Sequence, residues 1–288
     1  MKLLIWGDTH LRDASPVNRI DSYYETQFKK LNRIIEIQNE EQCDYILHVG
    51  DLFDSYRVSF KLLIDTINFF QKNNLIVHGI LGNHDVSSYN HSTINNSALG
   101  VLMRLGFYRH VNELKDKLNI KGIDTRLDYK KEDYCNSEII LCHDMITPEE
   151  NAPFEHLYWK EIDRTVPLII SGHYHRPHII KGEKTLFVNP GAMMRLSTAD
   201  TFDPSIDIID TKDYNVRRIP LNAEPYDSVF RRKEEKKEVL DIGTVELEKI
   251  DKGNIIDRIM SYAKENGYSK EVIENALKRV KKAEEEIR

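Results

Sequence analysis

Residues 75–85 read LIVHGILGNHD, an apolar run followed by a glycine and then by Asn83, His84 and Asp85 side by side. A short continuous apolar run bounded by turn formers fits a strand buried on both faces. Asn and Asp after glycine can simply form a turn. An amide, an imidazole and a carboxylate in succession are also metal-ligating and proton-handling groups. The tripeptide leaves both readings open, and the rest of the chain decides between them.

The same arrangement recurs on either side. Residues 3–6 (LLIW) lead to Gly7-Asp8-Thr9-His10, and residues 45–49 (YILHV) lead to Gly50-Asp51-Leu52-Phe53-Asp54. Residues 139–142 (IILC) lead to His143-Asp144, and residues 168–170 (LII) lead to Ser171-Gly172-His173-Tyr174-His175. A sixth run, residues 186–188, precedes Asn189-Pro190-Gly191. Between the first two runs, Phe28, Leu31, Ile34 and Ile35 fall at helical spacing. Phe60, Leu63, Ile64, Ile67 and Phe70 do so between the second and third. Strand, helix, strand, helix, strand implies parallel pairing through crossover units. After Pro204, residues 206–210 and 214–219 flank Thr211-Lys212-Asp213, which reads as a hairpin closing a sheet.

In parallel sheets, ligands bind outside the carboxyl ends of the strands. All five polar clusters would converge on that edge, with glycines permitting close backbone approach. Taken singly, Asp8 could cap a helix, His143 could be a core histidine and GNHD could be a turn. Convergence makes those separate explanations coincide five times. Three carboxylate or amide oxygens and four imidazoles suit a borderline divalent metal such as manganese, iron or zinc. The absence of cysteine among them argues against a closed structural zinc site. That many donors exceeds one tetrahedral ion, so two ions sharing a bridging carboxylate are expected, able to clamp the oxygens of an in-line phosphoryl displacement.

Length and composition set the frame. The 288 residues can bury one large core or two modest ones, and 40% hydrophobic with 31% charged residues is ordinary for a globular protein. No apolar run approaches the roughly 20 residues needed to cross a bilayer, so no membrane partner is expected. Asp8 and His10 arrive too soon for a signal-peptide apolar region. Three cysteines without a close-spaced pair argue against a disulfide framework and point to a cytoplasmic setting. The formal net charge of −6 announces no polyanion partner, although a metal site can reverse the sign locally. His48 and His78 read as core residues, and His91, His110, His156 and His178 as surface residues.

From about Glu224 the texture changes. Residues 231–238 (RRKEEKKE) read as a solvated linker or helix face. Asn254 can cap a helix carrying Ile255, Ile256, Ile259 and Met260, ended by Gly267. Ser269 can cap a second, with Tyr268 and Ile273 as a hydrophobic staple and Ala276, Leu277, Val280 and Ala283 on the same stripe. Two short amphipathic helices cannot bury both stripes alone, so they pack on the main domain or on another protein.

The motifs D-x-H (Asp8, His10), G-D-x-x-D (Gly50, Asp51, Asp54), G-N-H-D (residues 82–85), a lone His143 and G-H-x-H (Gly172, His173, His175) resemble, in order and spacing, those of the calcineurin-like metallophosphoesterases over roughly residues 1–190. The resemblance implies an α/β fold, a four-layer α/β/β/α sandwich, here with a small C-terminal helical extension. It implies one metal on Asp8, His10, Asp51 and His175, and a second on Asp51, Asn83, His143 and His173, with Asp51 bridging. His84 would polarise the phosphate or protonate the leaving alkoxide, and Asp85 would orient it.

Within that family, Gly7-Asp8-Thr9-His10-Leu11, Gly50-Asp51-Leu52-Phe53-Asp54 and Asn189-Pro190-Gly191-Ala192 with Arg195 resemble the nuclease subunits of SbcCD-type DNA repair and recombination complexes. That narrower resemblance implies a manganese-dependent DNA exo- and endonuclease that dimerises. It also implies that residues 254–288 dock on a coiled-coil ATPase partner. The expected organisation is a nuclease domain over residues 1–223, a charged linker or residual cap over 224–253, and the helix pair over 254–288. Arg12, Arg57, Arg176 and Arg195 are candidate phosphate contacts. The alternatives are hydrolysis of a small phosphate ester or nucleotide by the same ions, and a scaffold that keeps the fold without the chemistry.

Overall fold

The apolar runs become strands, and their neighbours in space follow from the crossovers. A computed structural model describes residues 1–231, apart from residues 129, 164 and 223. The expected helix pair at 254–288 and most of the expected linker lie outside the described residues. In chain order the elements are β1 (Lys2–Trp6), α1 (Tyr23–Glu41), β2 (Tyr45–His48), α2 (Phe60–Lys72), β3 (Val77–Gly79), α3 (Ala98–Arg104) and β4 (Tyr108–His110). There follow β5 (Ile120–Ile123), β6 (Ile139–Cys142), β7 (Ile146–Thr147), β8 (Leu157–Tyr158), β9 (Leu168–Ser171), β10 (His178–Lys181), β11 (Leu186–Asn189), β12 (Ser205–Asp210) and β13 (Asn215–Pro220).

One sheet has the order β13-β12-β1-β2-β3-β4, and the other β10-β11-β9-β6-β5. β1 through β4 pair in parallel, as do β5, β6, β9 and β11. The expected hairpin forms, with Asp210 opposite Asn215, and β12 runs antiparallel to β1. The sheets face each other. Leu3, Ile5, Leu47 and Val49 from the first pack with Ile139, Leu141, Leu168, Ile170 and Val188 from the second. The alternate residues Leu4, Trp6 and Ile46 point the other way, into a core shared with α1, α2 and α3, as the two-residue period of a strand requires. On the outer face of the second sheet, Ile140, Cys142, Ile169 and Phe187 meet Tyr134, Ile146, Leu157, Ile162 and Val166. Among the described residues this fourth layer is built from loops, single helical turns and the small β7–β8 ladder.

Both long helices start on a serine cap. Ser22 accepts the Glu25 N–H and Ser59 accepts the Leu62 N–H, satisfying donors that a helix start leaves free. The apolar stripe expected on α2 is only partly buried. Leu62, Thr66, Phe69 and Phe70 face the core, while Phe60 is 84% and Ile64 54% exposed. The body also extends past residue 223, where a linker was expected to begin. Glu224 accepts Arg195 Nη1 through its carbonyl, Ile20 and Arg231 donate their N–H groups to Val229 and Asn18, and Phe230 is buried. No helix among the described residues is long and apolar enough to cross a membrane.

Candidate metal centre

The carboxyl ends of β1, β2, β3, β6 and β9 carry the polar clusters, and parallel pairing brings them to one edge. His143 ties the two sheets there. Its Nδ1 donates to the Val49 carbonyl at 2.7 Å, which turns Nε2 toward the site, 3.1 Å from Asn83 Oδ1 and 3.2 Å from Asp51 Oδ2. From the other sheet, His173 donates its backbone N–H to Asp8 Oδ2 at 2.9 Å. His175 Nε2 lies 3.6 Å from Asp8 Oδ2 and 3.0 Å from His10 Nε2. Asp51 Oδ2 sits between the halves, 3.8 Å from His10 Nε2.

Donor atoms gather into three groups that could each hold a cation: Asp8, His10 and His175; Asp51, His143 and His173; and His10, Asp51 and His84. Further observations fit metal ions there. Asp8 Oδ1 is buried without a hydrogen-bond partner, and His10 Nδ1 is buried with only the Asp54 carboxylate near it, 3.5 Å away. Two imidazole nitrogens 3.0 Å apart, beside a carboxylate, are placed to share a cation. Burial pushes the His173 and His175 rings down to about 3, which keeps them neutral and able to ligate. Burial pushes the Asp8 carboxyl up to about 7, with Asp51 adding to the rise and His143 and His10 offsetting only part of it. Burial opposes the charge on Asp51 as well, but His143 and the other histidines outweigh it and hold that carboxyl far below the ordinary range. In return Asp51 overcomes burial at His143 and raises it to about 10.

The backbone is bent to make these approaches. His10, Asp51 and His173 hold φ of +50°, +56° and +68°, in the left-handed region that costs a side-chain-bearing residue about 1–2 kcal/mol. Gly50, at φ +99°, leaves room that a Cβ would fill, 2.6 Å from His143 Nδ1. A Cβ at Gly82 would fall 2.0 Å from Asp51 Oδ1. The strand-to-turn glycines are therefore dictated by contact as well as by conformation.

Asp85 does not orient His84. Its carboxylate accepts the backbone N–H groups of Asp51 at 2.9 Å, Leu52 at 3.2 Å and Gly82 at 2.9 Å, fastening the loop after β2 to the loop after β3. His84 is held instead by the Asp54 carbonyl, to which its Nδ1 donates at 2.7 Å, while its N–H donates to Asp51 Oδ1 at 2.8 Å. Asp54 thus positions His84 through its carbonyl, a contact that the G-D-x-x-D spacing did not reveal. Its side chain reaches His10 Nδ1 at 3.5 Å and Arg12 Nη1 at 3.2 Å. Of the four candidate arginines, Arg12 is brought to the rim through Asp54. Arg57 and Arg176 stand exposed, Arg57 over the Tyr56 ring. Arg195 is only 5% exposed and is spent on Asp203 and the carbonyls of Phe202 and Glu224, so it is no phosphate contact.

Beneath the centre runs a buried chain that the sequence did not announce. Thr9 Oγ1 lies 3.0 Å from His48 Nε2, His48 Nδ1 lies 3.1 Å from the Tyr108 hydroxyl, and Tyr108 donates to the Ile80 carbonyl at 2.8 Å. It links β1, β2, β3 and β4 just before their polar ends, and burial keeps His48 neutral, down to about 3. His48 and His78 are buried as expected. His178 is not an ordinary surface residue, because burial lowers it to about 4 and its Nε2 is enclosed.

The family model for the calcineurin-like phosphoesterase superfamily domain matches residues 1–214. Among curated proteins, the double-strand break repair protein MRE11 of Encephalitozoon cuniculi is 27% identical over 254 residues, covering 69% of this chain and 43% of that protein. The DNA double-strand break repair protein Mre11 of Methanosarcina acetivorans is 26% identical over 231 residues, covering 73% of this chain and 36% of that protein. The chain thus spans less than half the length of these relatives. Among solved structures, a novel archaeal phosphodiesterase overlaps with a TM-score of 0.42 at 18% identity, covering 76% of this chain and 99% of that one. With donors from five strand ends gathered on one edge of a two-sheet core, and a family model matching most of its length, the chain belongs to the calcineurin-like phosphoesterase superfamily.

Proposed function

We propose that the chain is a nuclease subunit that hydrolyses DNA phosphodiester bonds with two divalent ions, manganese in preference. The carrying observation is the complete donor set at the strand ends, with His84 beside it. The choice of DNA over other phosphate esters rests on the double-strand break repair relatives. Asp8, His10, Asp51 and His175 would hold one ion, and Asp51, Asn83, His143 and His173 the other. The ions would supply Lewis acidity toward the phosphoryl oxygens. His84 has Nδ1 committed to the Asp54 carbonyl, so Nε2 is the atom left to deliver a proton to the leaving alkoxide. Asp85 and Gly82 keep Asp51 and Asn83 in register.

End-labelled duplex and single-stranded DNA incubated with the chain and manganese test this reading. Shortening that a chelator abolishes supports it. Cleavage of a chromogenic phosphomonoester with DNA left intact would replace it by small-ester hydrolysis, a reading that the acidic net charge favours. Binding of no metal would leave only a scaffold. Docking of residues 254–288 on a coiled-coil ATPase belongs to the same proposal. Deleting them is expected to abolish ATPase binding while metal binding is kept. So does a homodimer that covers the exposed Phe60 and Ile64 one turn apart on α2. The parent should then sediment as a dimer and a Phe60→Glu, Ile64→Lys double variant as a monomer, a monomeric parent being the contrary result.

A further inference from the structure

Two loops leave neighbouring strands of the five-stranded sheet at the donor-bearing edge. One follows His143 and returns as β8, and the other runs from Gly172 to β10. Where they meet, four rings line up. Phe154 lies 5.9 Å from His156 and 6.1 Å from Tyr174, and Tyr174 lies 5.8 Å from His178, centroid to centroid. Tyr174 stands between the two site histidines, His173 and His175. Phe154 is 42% exposed in a loop otherwise rich in Glu and Pro, so burial in the core does not account for it.

These rings are held in place rather than free. His156 pins the first loop, with Nδ1 2.7 Å from the Phe154 carbonyl and Nε2 3.0 Å from the Glu150 carbonyl. Thr147 Oγ1 donates to the Glu149 carbonyl at 2.8 Å. Tyr174 donates its N–H to Gly172 at 2.8 Å and accepts Asn189 Nδ2 at 2.9 Å through its carbonyl. The rings are tilted rather than coplanar, Phe154 by 41° to Tyr174, and each part-exposed face, that of Tyr174 next in sequence to the site histidines, can meet the face of a nucleobase, a face every base has. Exposed Glu149, Glu150 and Glu155 surround these rings and repel a phosphate backbone. The surface therefore suits a base that is unpaired and turned away from its strand, and disfavours duplex grip.

We propose that Phe154 and Tyr174 form a base-stacking subsite. It holds one unpaired nucleobase of the strand whose phosphate occupies the metal centre, and so selects single-stranded or frayed ends. This rests on the nucleic-acid reading above.

The test uses the full chain in chelator, which prevents cleavage. The probes are a single-stranded oligonucleotide carrying 2-aminopurine and an abasic oligonucleotide of equal length. Wild type is expected to quench 2-aminopurine and to bind the base-bearing probe about tenfold or more tighter than the abasic one. Phe154→Ala should lose that difference, Phe154→Tyr should restore it, and both should keep the wild-type melting temperature and manganese affinity. Equal affinity of wild type and Phe154→Ala for the base-bearing probe overturns the subsite while leaving the nuclease intact. Equal weakening of both probes by Phe154→Ala also overturns it, as would be seen for a loop that merely packs or binds a protein. If wild type binds and cleaves no DNA at all, the nucleic-acid reading falls, and the subsite with it.

Discussion

Asp85 shows how a residue in a motif can act at one remove from chemistry. Its two oxygens collect three backbone N–H groups, from Asp51 and Leu52 in one loop and Gly82 in the next, which is why its partners were not legible in the tripeptide beside His84. Charge-assisted hydrogen bonds to a buried carboxylate contribute about 1.5–3 kcal/mol each when lost singly, and they share one acceptor here. Asp85→Asn turns an amide N–H₂ toward donors and removes that charge. It is expected to cost about 3 kcal/mol in urea unfolding of the metal-free protein and to weaken manganese binding in calorimetry. Unaltered unfolding would show that the loops are fastened elsewhere. His84 is the contrasting case, since no donor group depends on it for its position except through Asp51 Oδ1, which it contacts by its backbone. His84→Ala keeps that N–H. Turnover should drop about 10²–10⁴-fold, the usual contribution of a positioned acid, while calorimetric manganese binding stays. Loss of both would contradict an acid role.

At the scale of elements, the parts that were legible are those where one physical cause dominates. Runs such as residues 139–142 had to be strands because a continuous apolar segment needs two buried faces, and the crossover rule then fixed which ends carry the donors. Short strands escaped notice where a second cause competes. β5 reads Ile-Lys-Gly-Ile and β10 His-Ile-Ile-Lys, both on sheet edges where polar residues are tolerated. The stripe on α2 misled because periodicity says which residues share a face and not which of them the sheet reaches. α1 hides a different conflict, burying Lys30 at 6% exposure with its Nζ unpartnered. Burial pushes that amine down to about 7, helped by Arg195, Arg19 and Lys29 and opposed by Glu224. The unfolded amine keeps its proton to about pH 10.5, so the folded chain should gain stability as pH rises from about 7 to 10.5 and carry the full cost below 7. Lys30→Met is expected to stabilise by on the order of 3 kcal/mol at pH 7 and to flatten that rise, since a well-packed apolar group replaces a buried charge. Denaturant midpoints measured across pH 6–10 check both, and a parallel pair of curves would refute the assignment.

For the molecule as a whole, the donor set is divided between the sheets. Asp8, His10, Asp51 and Asn83 come from the ends of β1, β2 and β3, and His143, His173 and His175 from the ends of β6 and β9. Between the sheets lies an apolar core, and at its β12–β13 side Arg218 pairs with the buried Asp207 and donates to the Asn189 and His178 carbonyls of the second sheet. At the edge, carboxylates and imidazoles gather without enough counter-charge, as the partnerless Asp8 Oδ1 and the raised Asp8 carboxyl record. Divalent ions there would act on the fold as well as on phosphate, because they bind both sheets at once and a disordered chain offers no such cluster. Ligand binding to the native state alone stabilises by about 2.7 kcal/mol at a hundredfold excess over Kd. Manganese is therefore expected to raise the melting temperature, and chelator to reverse the rise. Asp51→Asn should lose most of the gain because Asp51 reaches histidines of both sheets, while His84→Ala should keep it. Equal melting with and without manganese, under conditions where calorimetry records binding, would show that the unfolded chain binds manganese as tightly as the native one, and would overturn a cluster made by the fold.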